Sequence, residues 1–191
     1  MSAKQTSATQ VDAIVIGAGL SGLYQLYQLR EHGLKVCVLE AGSGVAGTWY
    51  WNRYPGARCD STAECYQYWF SDELLNEWNW SERFPAQAET ERYLNHVADK
   101  FDLRREIQFN TSVSAADFDE ANSRWIIRTQ AGDTYCAQFV VMATGGRADP
   151  MSRATIASKA CPCIPRAGRA SQSISAASAW VLSALARPAF K

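Results

Sequence analysis

The apolar residues change their spacing along the chain, and each change predicts an element. Residues 11–16 (VDAIVI) are a short β-branched run ending at Gly17, which predicts a strand buried on both faces. Leu20, Leu23, Tyr24 and Tyr27 recur at i, i+3, i+4 and i+7, predicting a helix that stops at Gly33. Residues 35–39 (KVCVL) predict a second strand closing on Glu40, so the first forty residues read as a βαβ unit. From 41 to 83 the text is loop-like and holds five of the seven tryptophans; ordered loops of that length usually carry function. Helical spacing returns over 89–101, with Tyr93, Leu94, Val97, Ala98 and Phe101 on one side. Short strands are predicted at 112–118, 125–129 and 135–141, separated by turn-rich text, the last running into Ala143-Thr144-Gly145-Gly146. The fold class is therefore α/β.

Composition changes this picture at one place. The chain has 191 residues and zero net charge, which removes any general electrostatic attraction to nucleic acid or an acidic membrane. That zero hides a split. Residues 147–191 hold five Arg and two Lys against one acid, a net +6, together with 12 Ala and 7 Ser, and the first 146 residues carry the balancing −6. We read residues 1–10 as a disordered N-terminus, 11–146 as one folded domain and 147–191 as an irregular tail, with only 180–186 at helical spacing. No apolar run reaches membrane-spanning length and the first ten residues are polar, so a soluble cytoplasmic protein is expected. Six cysteines without a C-x-x-C pair are expected to be reduced thiols, with no metal site.

The chemistry starts at Gly17-Ala18-Gly19-Leu20-Ser21-Gly22, a G-x-G-x-x-G run between a predicted strand and a predicted helix. In such a run Gly17 permits the tight turn, Gly19 lets backbone approach a pyrophosphate, and Gly22 allows close helix packing. The helix amino end then offers unpaired N–H groups to the phosphates. Glu40, closing the second strand about 20 residues later, stands where an acid accepts hydrogen bonds from ribose hydroxyls. An acid there repels a 2′-phosphate, so FAD or NAD fits and NADP does not. His32 and His96 lie in helical text and read as packing or surface residues, and neither Ser21 nor Ser61 stands in a G-x-S-x-G frame, so hydrolase chemistry has no support.

The next segment, running from Val45 through Gly47-Thr48-Trp49-Tyr50-Trp51-Asn52-Arg53-Tyr54-Pro55-Gly56-Ala57-Arg58-Cys59-Asp60, resembles the G-G-T-W-Y-W-N-R-Y-P-G-A-R-C-D segment of Baeyer–Villiger monooxygenases. The likeness continues through Glu64-Cys65-Tyr66 and residues 77–83 and 97–103, and ends at Gly145. It implies a Rossmann-like FAD-binding domain with a parallel sheet and a three-stranded β excursion. It also implies that NADPH passes hydride to the flavin and that O2 is the source of the oxygen inserted beside a ketone, giving an ester or lactone. Carried over by position, Gly17, Gly19, Ser21 and Gly22 would hold the pyrophosphate and Glu40 the ribose. Gly47, Thr48 and Trp49 would line the flavin, with Asp60 and Tyr66 near its ring and Val113 by the adenine. Arg58, Cys59 and Asp60 match the segment that also touches the nicotinamide cofactor, and Asp60 is the candidate catalytic residue, the charge that tunes the reactive centre.

The sequence departs from that family in places. Ala46 replaces the first glycine of G-G-T-W, harmless at negative φ and harmful at positive φ. Gly146 stands where a larger residue is more usual. The second dinucleotide fingerprint, the F-x-G-x-x-x-H-x-x-x-W signature and the family's supporting arginine do not appear after Gly145, where the text turns to Ala, Arg, Ser and Pro, as a frameshifted or truncated gene would read. An FAD-binding module without turnover is therefore the alternative to a full monooxygenase. An NAD-dependent dehydrogenase is a weaker one, because it leaves the Trp- and Tyr-rich segment at 47–69 without a role.

Overall fold

A computed structural model of the chain describes residues 8–145 and the backbone of the two-residue strand Thr155–Ile156. The elements in chain order are β1 (Thr9–Gln10), β2 (Ala13–Ile16), α1 (Leu20–Glu31), β3 (Val36–Leu39), α2 (Thr48–Trp51), α3 (Asp72–Glu77), α4 (Gln87–Lys100), β4 (Ile107–Gln108), β5 (Val113–Asp119), β6 (Arg124–Thr129), β7 (Thr134–Ala137), β8 (Phe139–Met142) and β9 (Thr155–Ile156). Single 3-10 turns cover Ala63–Cys65 and Arg104–Glu106. Residues 1–7 and 180–186 lie outside the described part.

Four strands form a parallel sheet in the order β4-β3-β2-β8, and five form a second sheet in the order β1-β7-β6-β5-β9. The β-branched run at 13–16 is buried along its whole length because its two faces serve different layers. Ala13, Val15, Val36 and Val38 face the helices, while Ile14, Ile16, Cys37 and Leu39 pack with Ala116, Ile127 and Ala137 of the second sheet. A side-chain period of two therefore reads here as continuous burial. The fold is a Rossmann-like α/β domain with a β excursion, as the sequence implied.

Several boundaries differ from the sequence reading. The run at 135–141 is two strands in two sheets, because the chain crosses between layers at Gln138, where the Gln138 and Phe139 amides both donate to the Asp12 carbonyl at 3.1 and 3.0 Å. Thr9 and Gln10, assigned to a disordered N-terminus, pair with Tyr135 and Cys136. Backbone pairing asks nothing of side-chain polarity, so the apolar pattern does not show it. The excursion has the three expected strands, β5, β6 and β7, and its sheet is widened from outside the excursion by β1 and by β9, which falls within the stretch read as an irregular tail. The 41–83 segment, read as loop, contains α2, the 3-10 turn at 63–65 and α3. Each is too short to show a helical period.

What orders that long segment is an aromatic layer between α1 and α4. Tyr27 stacks on Phe70 at 4.2 Å between ring centres, Phe70 meets Phe101 at 5.3 Å, and Trp78 and Trp80 both lie against Tyr93. Two hydroxyls meet part of the polar cost of this burial, while Trp78 Nε1 is buried without a partner among the described residues. The Tyr68 hydroxyl donates to the Leu20 carbonyl at 2.5 Å, and the Tyr68 amide donates to the Tyr93 hydroxyl at 2.8 Å. Burial pushes the Tyr93 phenol up to about 12 and Tyr68 well above its ordinary value, so both stay neutral donors and acceptors. Tyr93→Phe leaves the buried Tyr68 amide without its acceptor. It is expected to cost about 1–3 kcal/mol in urea unfolding, and an unchanged midpoint would refute this account of the layer.

Candidate cofactor site

The site is built where α1 leaves the parallel sheet. The Gly17 amide donates to the Leu39 carbonyl at 2.9 Å, tying the turn between β2 and α1 to the end of β3. Gly17 takes φ +104°, and a Cβ there would lie 2.7 Å from the Ala143 carbonyl oxygen. At Gly22 a Cβ would lie 1.9 Å from the Gly17 carbonyl oxygen, so the first turn of α1 can sit on the loop only without a side chain. Gly19 is different: its φ of −79° suits any residue, and an added Cβ would meet nothing nearer than the Gly47 Cα at 3.5 Å. The fold does not require glycine there.

The amino end of α1 is also bare. Gly19 precedes the helix and no side chain caps it, while the Leu23 amide is the first to bond back, to the Gly19 carbonyl at 3.0 Å. The amides of the first turn are thus left for an anion, at the positive end of the helix dipole. Ser21 stands exposed on this turn. These residues could hold a dinucleotide pyrophosphate.

Glu40 does more than the sequence reading assigned to it. It is buried, and its carboxylate accepts from the Ala18 amide at 2.7 Å and from the Gly42 amide at 2.6 Å. The acid expected at the ribose therefore also ties the glycine loop to the end of β3. Beside it the Thr111 amide donates to the Glu40 carbonyl at 2.8 Å and the Asn110 amide to the Gly42 carbonyl at 2.9 Å, which brings the approach to Val113 next to Glu40. Val113 is half-buried against the second core cluster.

The segment after Gly44 returns to the glycine loop. The Ala46 amide donates to the Ala18 carbonyl at 3.0 Å, and a Cβ on Gly47 would lie 2.9 Å from the Gly19 Cα. Gly47 has φ +52° and Ala46 φ +88°. The departure at position 46 is thus the harmful kind: a buried alanine occupies a backbone conformation that favours glycine. Thr48 opens α2 and is exposed, whereas Trp49 is buried and meets Tyr66 edge-on at 5.5 Å. Trp49, expected along the flavin, is largely a core residue, and Tyr66 is the half-buried ring of the pair.

Arg58, Cys59 and Asp60 follow in an extended stretch whose side chains point to different surroundings. Arg58 is exposed and donates to Glu82 at 2.7 Å and to the Phe84 carbonyl at 2.9 Å. Cys59 is buried, its thiol 3.4 Å from the Thr90 hydroxyl, and burial pushes it up. Asp60 is exposed, and its charge, after burial and Cys59, helps to push the Tyr66 phenol up. The structure thus groups Gly17, Gly19, Gly22, Glu40 and Gly47 tightly, reaches Tyr66 and Cys59 through Trp49, and leaves Arg58 and Asp60 at the outer end. Among the described residues no group of His, Cys, Asp and Glu is placed to hold a metal ion, and no helix is long and apolar enough to cross a membrane.

Sequence reasoning found the helix but named none of the polar residues in the first two turns of α4. The Gln87 amide side chain donates to the Trp49 carbonyl, Thr90 meets Cys59, Glu91 pairs with Arg53, and Glu89 accepts from the Ser81 amide and hydroxyl at 2.8 and 2.6 Å. These polar positions lie in the text before and within a helix, where polarity alone signals only a solvated face.

Comparison with known proteins agrees with this geometry. Residues 14–162 match the family described as pyridine nucleotide-disulphide oxidoreductase. The acetone monooxygenase (methyl acetate-forming) of Gordonia sp. (strain TY-5) is 54% identical over 145 residues, 76% of this chain and 27% of that protein. The cyclopentanone 1,2-monooxygenase of Comamonas sp. (strain NCIMB 9872) is 43% identical over 141 residues, 74% of this chain and 26% of its own length. Among solved structures, an oxidised steroid monooxygenase bound to NADP superposes with a TM-score of 0.71 at 53% identity, over 73% of this chain and 27% of that one. A complex of OTEMO with FAD and NADP gives 0.69 at 42% identity, over 72% and 26%. The chain spans about a quarter of the length of the relatives it matches.

Two substitutions at the paired turn are expected to act in opposite directions. Gly47→Ala adds left-handed strain of about 1–2 kcal/mol and a collision with the Gly19 backbone, so it lowers the urea midpoint. Ala46→Gly relieves strain of similar size against an unfolded-chain entropy cost of about 0.4–1 kcal/mol, so it raises the midpoint slightly. The reverse order of midpoints would contradict the geometry.

Proposed function

The chain belongs to the Baeyer–Villiger monooxygenases, flavoproteins within the pyridine nucleotide-disulphide oxidoreductases, and from that premise we propose that residues 11–146 are the FAD-binding domain of an NADPH-dependent enzyme that inserts oxygen from O2 beside a ketone. The observation that carries the reading is Gly19. It is the glycine of the loop that the fold itself does not need, and it stands between an uncapped helix end and Gly47. A backbone kept bare for no internal reason, beside free amides, suits a pyrophosphate.

On this reading Gly17, Gly19, Ser21 and Gly22 bind the FAD pyrophosphate. Glu40 keeps the Ala18 amide in place and accepts from the adenosine ribose with its remaining lone pairs. Val113 packs by the adenine, and Gly47, Thr48 and Trp49 form the wall along the flavin. Tyr66 supports that wall from behind through Trp49. Asp60, exposed at the end of the same segment, is the charge placed toward the reacting centre, beside Arg58 and Cys59 on the side where NADPH would approach. When bound, FAD supplies the redox chemistry, taking hydride from NADPH and activating O2. What these residues contribute is binding, orientation and one fixed negative charge.

The coverage of about a quarter of each relative favours a division of labour. Flavin binding is the function of these residues, and ketone oxygenation is the activity of a whole protein of which they form one domain. The monooxygenase names of the relatives, and the aromatic segment at 47–69 that packs around this site, speak against the dehydrogenase alternative.

The purified chain is expected to take up FAD and show the absorption bands of a bound flavin. Gly19→Ala, allowed by its φ and by the space around it, is expected to keep its flavin-free thermal stability and to weaken FAD binding about tenfold or more, because a Cβ displaces the phosphate from the loop amides. A chain that binds no flavin, or a Gly19→Ala chain that binds it as well as the parent, would sink this reading.

A further inference from the structure

Resting on the flavin-binding reading, we propose that Gln87 and Glu91 of α4 act as a coupled pair of positioning residues that hold α2, and with it Gly47, against the glycine loop. α2 has four residues and no side-chain cap, and a helix of that length does not hold itself in place. The Thr48 carbonyl accepts from the Asn52 amide at 3.0 Å and from Asn52 Nδ2 at 2.9 Å, while the carbonyls after it find no partner in so short a helix. Two further side chains supply these. Gln87 Nε2 donates to the Trp49 carbonyl, and Arg53 Nε donates to the Tyr50 carbonyl at 2.9 Å.

Glu91 controls both donors. One of its oxygens accepts from Gln87 Nε2 at 2.8 Å and the other pairs with the Arg53 guanidinium. A side-chain amide has two hydrogens on nitrogen and none on oxygen, so two acceptors, Trp49 and Glu91, fix which way Gln87 faces. Without the carboxylate at 91 the amide keeps one acceptor in place of two, and the Gln87 side chain loses the contact that fixes it to its own helix. The Gln87 backbone amide also donates to the Ala57 carbonyl at 2.9 Å, so the same residue anchors the stretch leading to Arg58, Cys59 and Asp60. The contact that matters lies at the other end of α2, where the Gly47 and Gly19 backbones meet with no room for a Cβ. A shift of α2 moves Gly47 relative to the loop that would receive the pyrophosphate. Neither Gln87 nor Glu91 stands in that loop, so their effect is transmitted through α2.

The test is a titration of the full chain with FAD, followed by flavin fluorescence, alongside thermal unfolding without flavin. Gln87→Met and Glu91→Leu are each expected to weaken FAD binding about tenfold, the size of one charge-assisted hydrogen bond. The double variant is expected to bind no more weakly than Glu91→Leu alone, because losing Glu91 already releases the Gln87 side chain. Glu91→Gln, which still offers an acceptor oxygen to Gln87, is expected to recover most of the affinity. Flavin-free melting temperatures are expected to stay close to the parent's. Parental affinity in the single variants, losses that add in the double, or losses that follow a fall in flavin-free stability would each overturn the proposal. If Gln87→Met does not fold, Gln87→Glu keeps the length without the donor and carries the same expectation, and failure of both to fold makes Gln87 a folding residue and overturns it too. A parent chain that takes up no FAD overturns the flavin reading itself, and is seen before any variant is compared.

Discussion

The approach of α1 to the parallel sheet is the constraint on which the rest of the structure depends. Gly22 lies so close to the Gly17 carbonyl, and Gly17 to Ala143, that the turn, the helix and the end of β8 form one contact without side chains. That contact aims the amino end of α1 across the carboxyl ends of β2 and β8. A helix held further away by one methyl group would still bury Leu23 and Leu26, but its free amides would no longer converge with Gly19 and Gly47 on one place. Packing and the direction of the free amides are therefore set by the same atoms. In a doubly wound fold this is where ligands bind, beyond the carboxyl ends of the strands.

Glu40 extends the constraint. A buried carboxylate is costly unless its oxygens are hydrogen-bonded, and here the backbone amides of Ala18 and Gly42 both serve it. The charge that suits a ribose thus also sets the geometry of the glycine loop from the β3 side. Ala46 then runs against the general economy of the site. It keeps the backbone path of a glycine, with positive φ, while carrying a methyl group, and it is held there by donating to the Ala18 carbonyl and accepting from the Trp49 amide.

The long segment between β3 and α4 is ordered by two different means. Its apolar rings, including Phe70, Trp78 and Trp80, fill the space between α1 and α4, which fixes the segment's depth. Its polar attachments come from the first two turns of α4, where Gln87, Glu89, Thr90 and Glu91 reach four separate places in the chain. Ring packing is tolerant of small shifts, while hydrogen bonds to particular carbonyls and hydroxyls are not. The combination gives a segment that is buried enough to be stable and placed finely enough to border a cofactor.

Much of this was open to a reader of the sequence. The run at 11–16, the helical spacing from Leu20, the closing Glu40 and the three glycines determined the βαβ unit and its bare glycine loop, because period and glycine placement are local properties of a chain. The segment from Gly47 to Asp60 was enough to point to the flavoprotein family. Three things were decided only by the tertiary structure. They are the switch of sheets at Gln138, the pairing of polar Thr9 and Gln10 with β7, and the hydrogen bonds that Gln87 makes to the Trp49 carbonyl and to Glu91. Each depends on what lies across from a residue in space, and backbone pairing and side-chain reach between distant segments leave no period in the sequence.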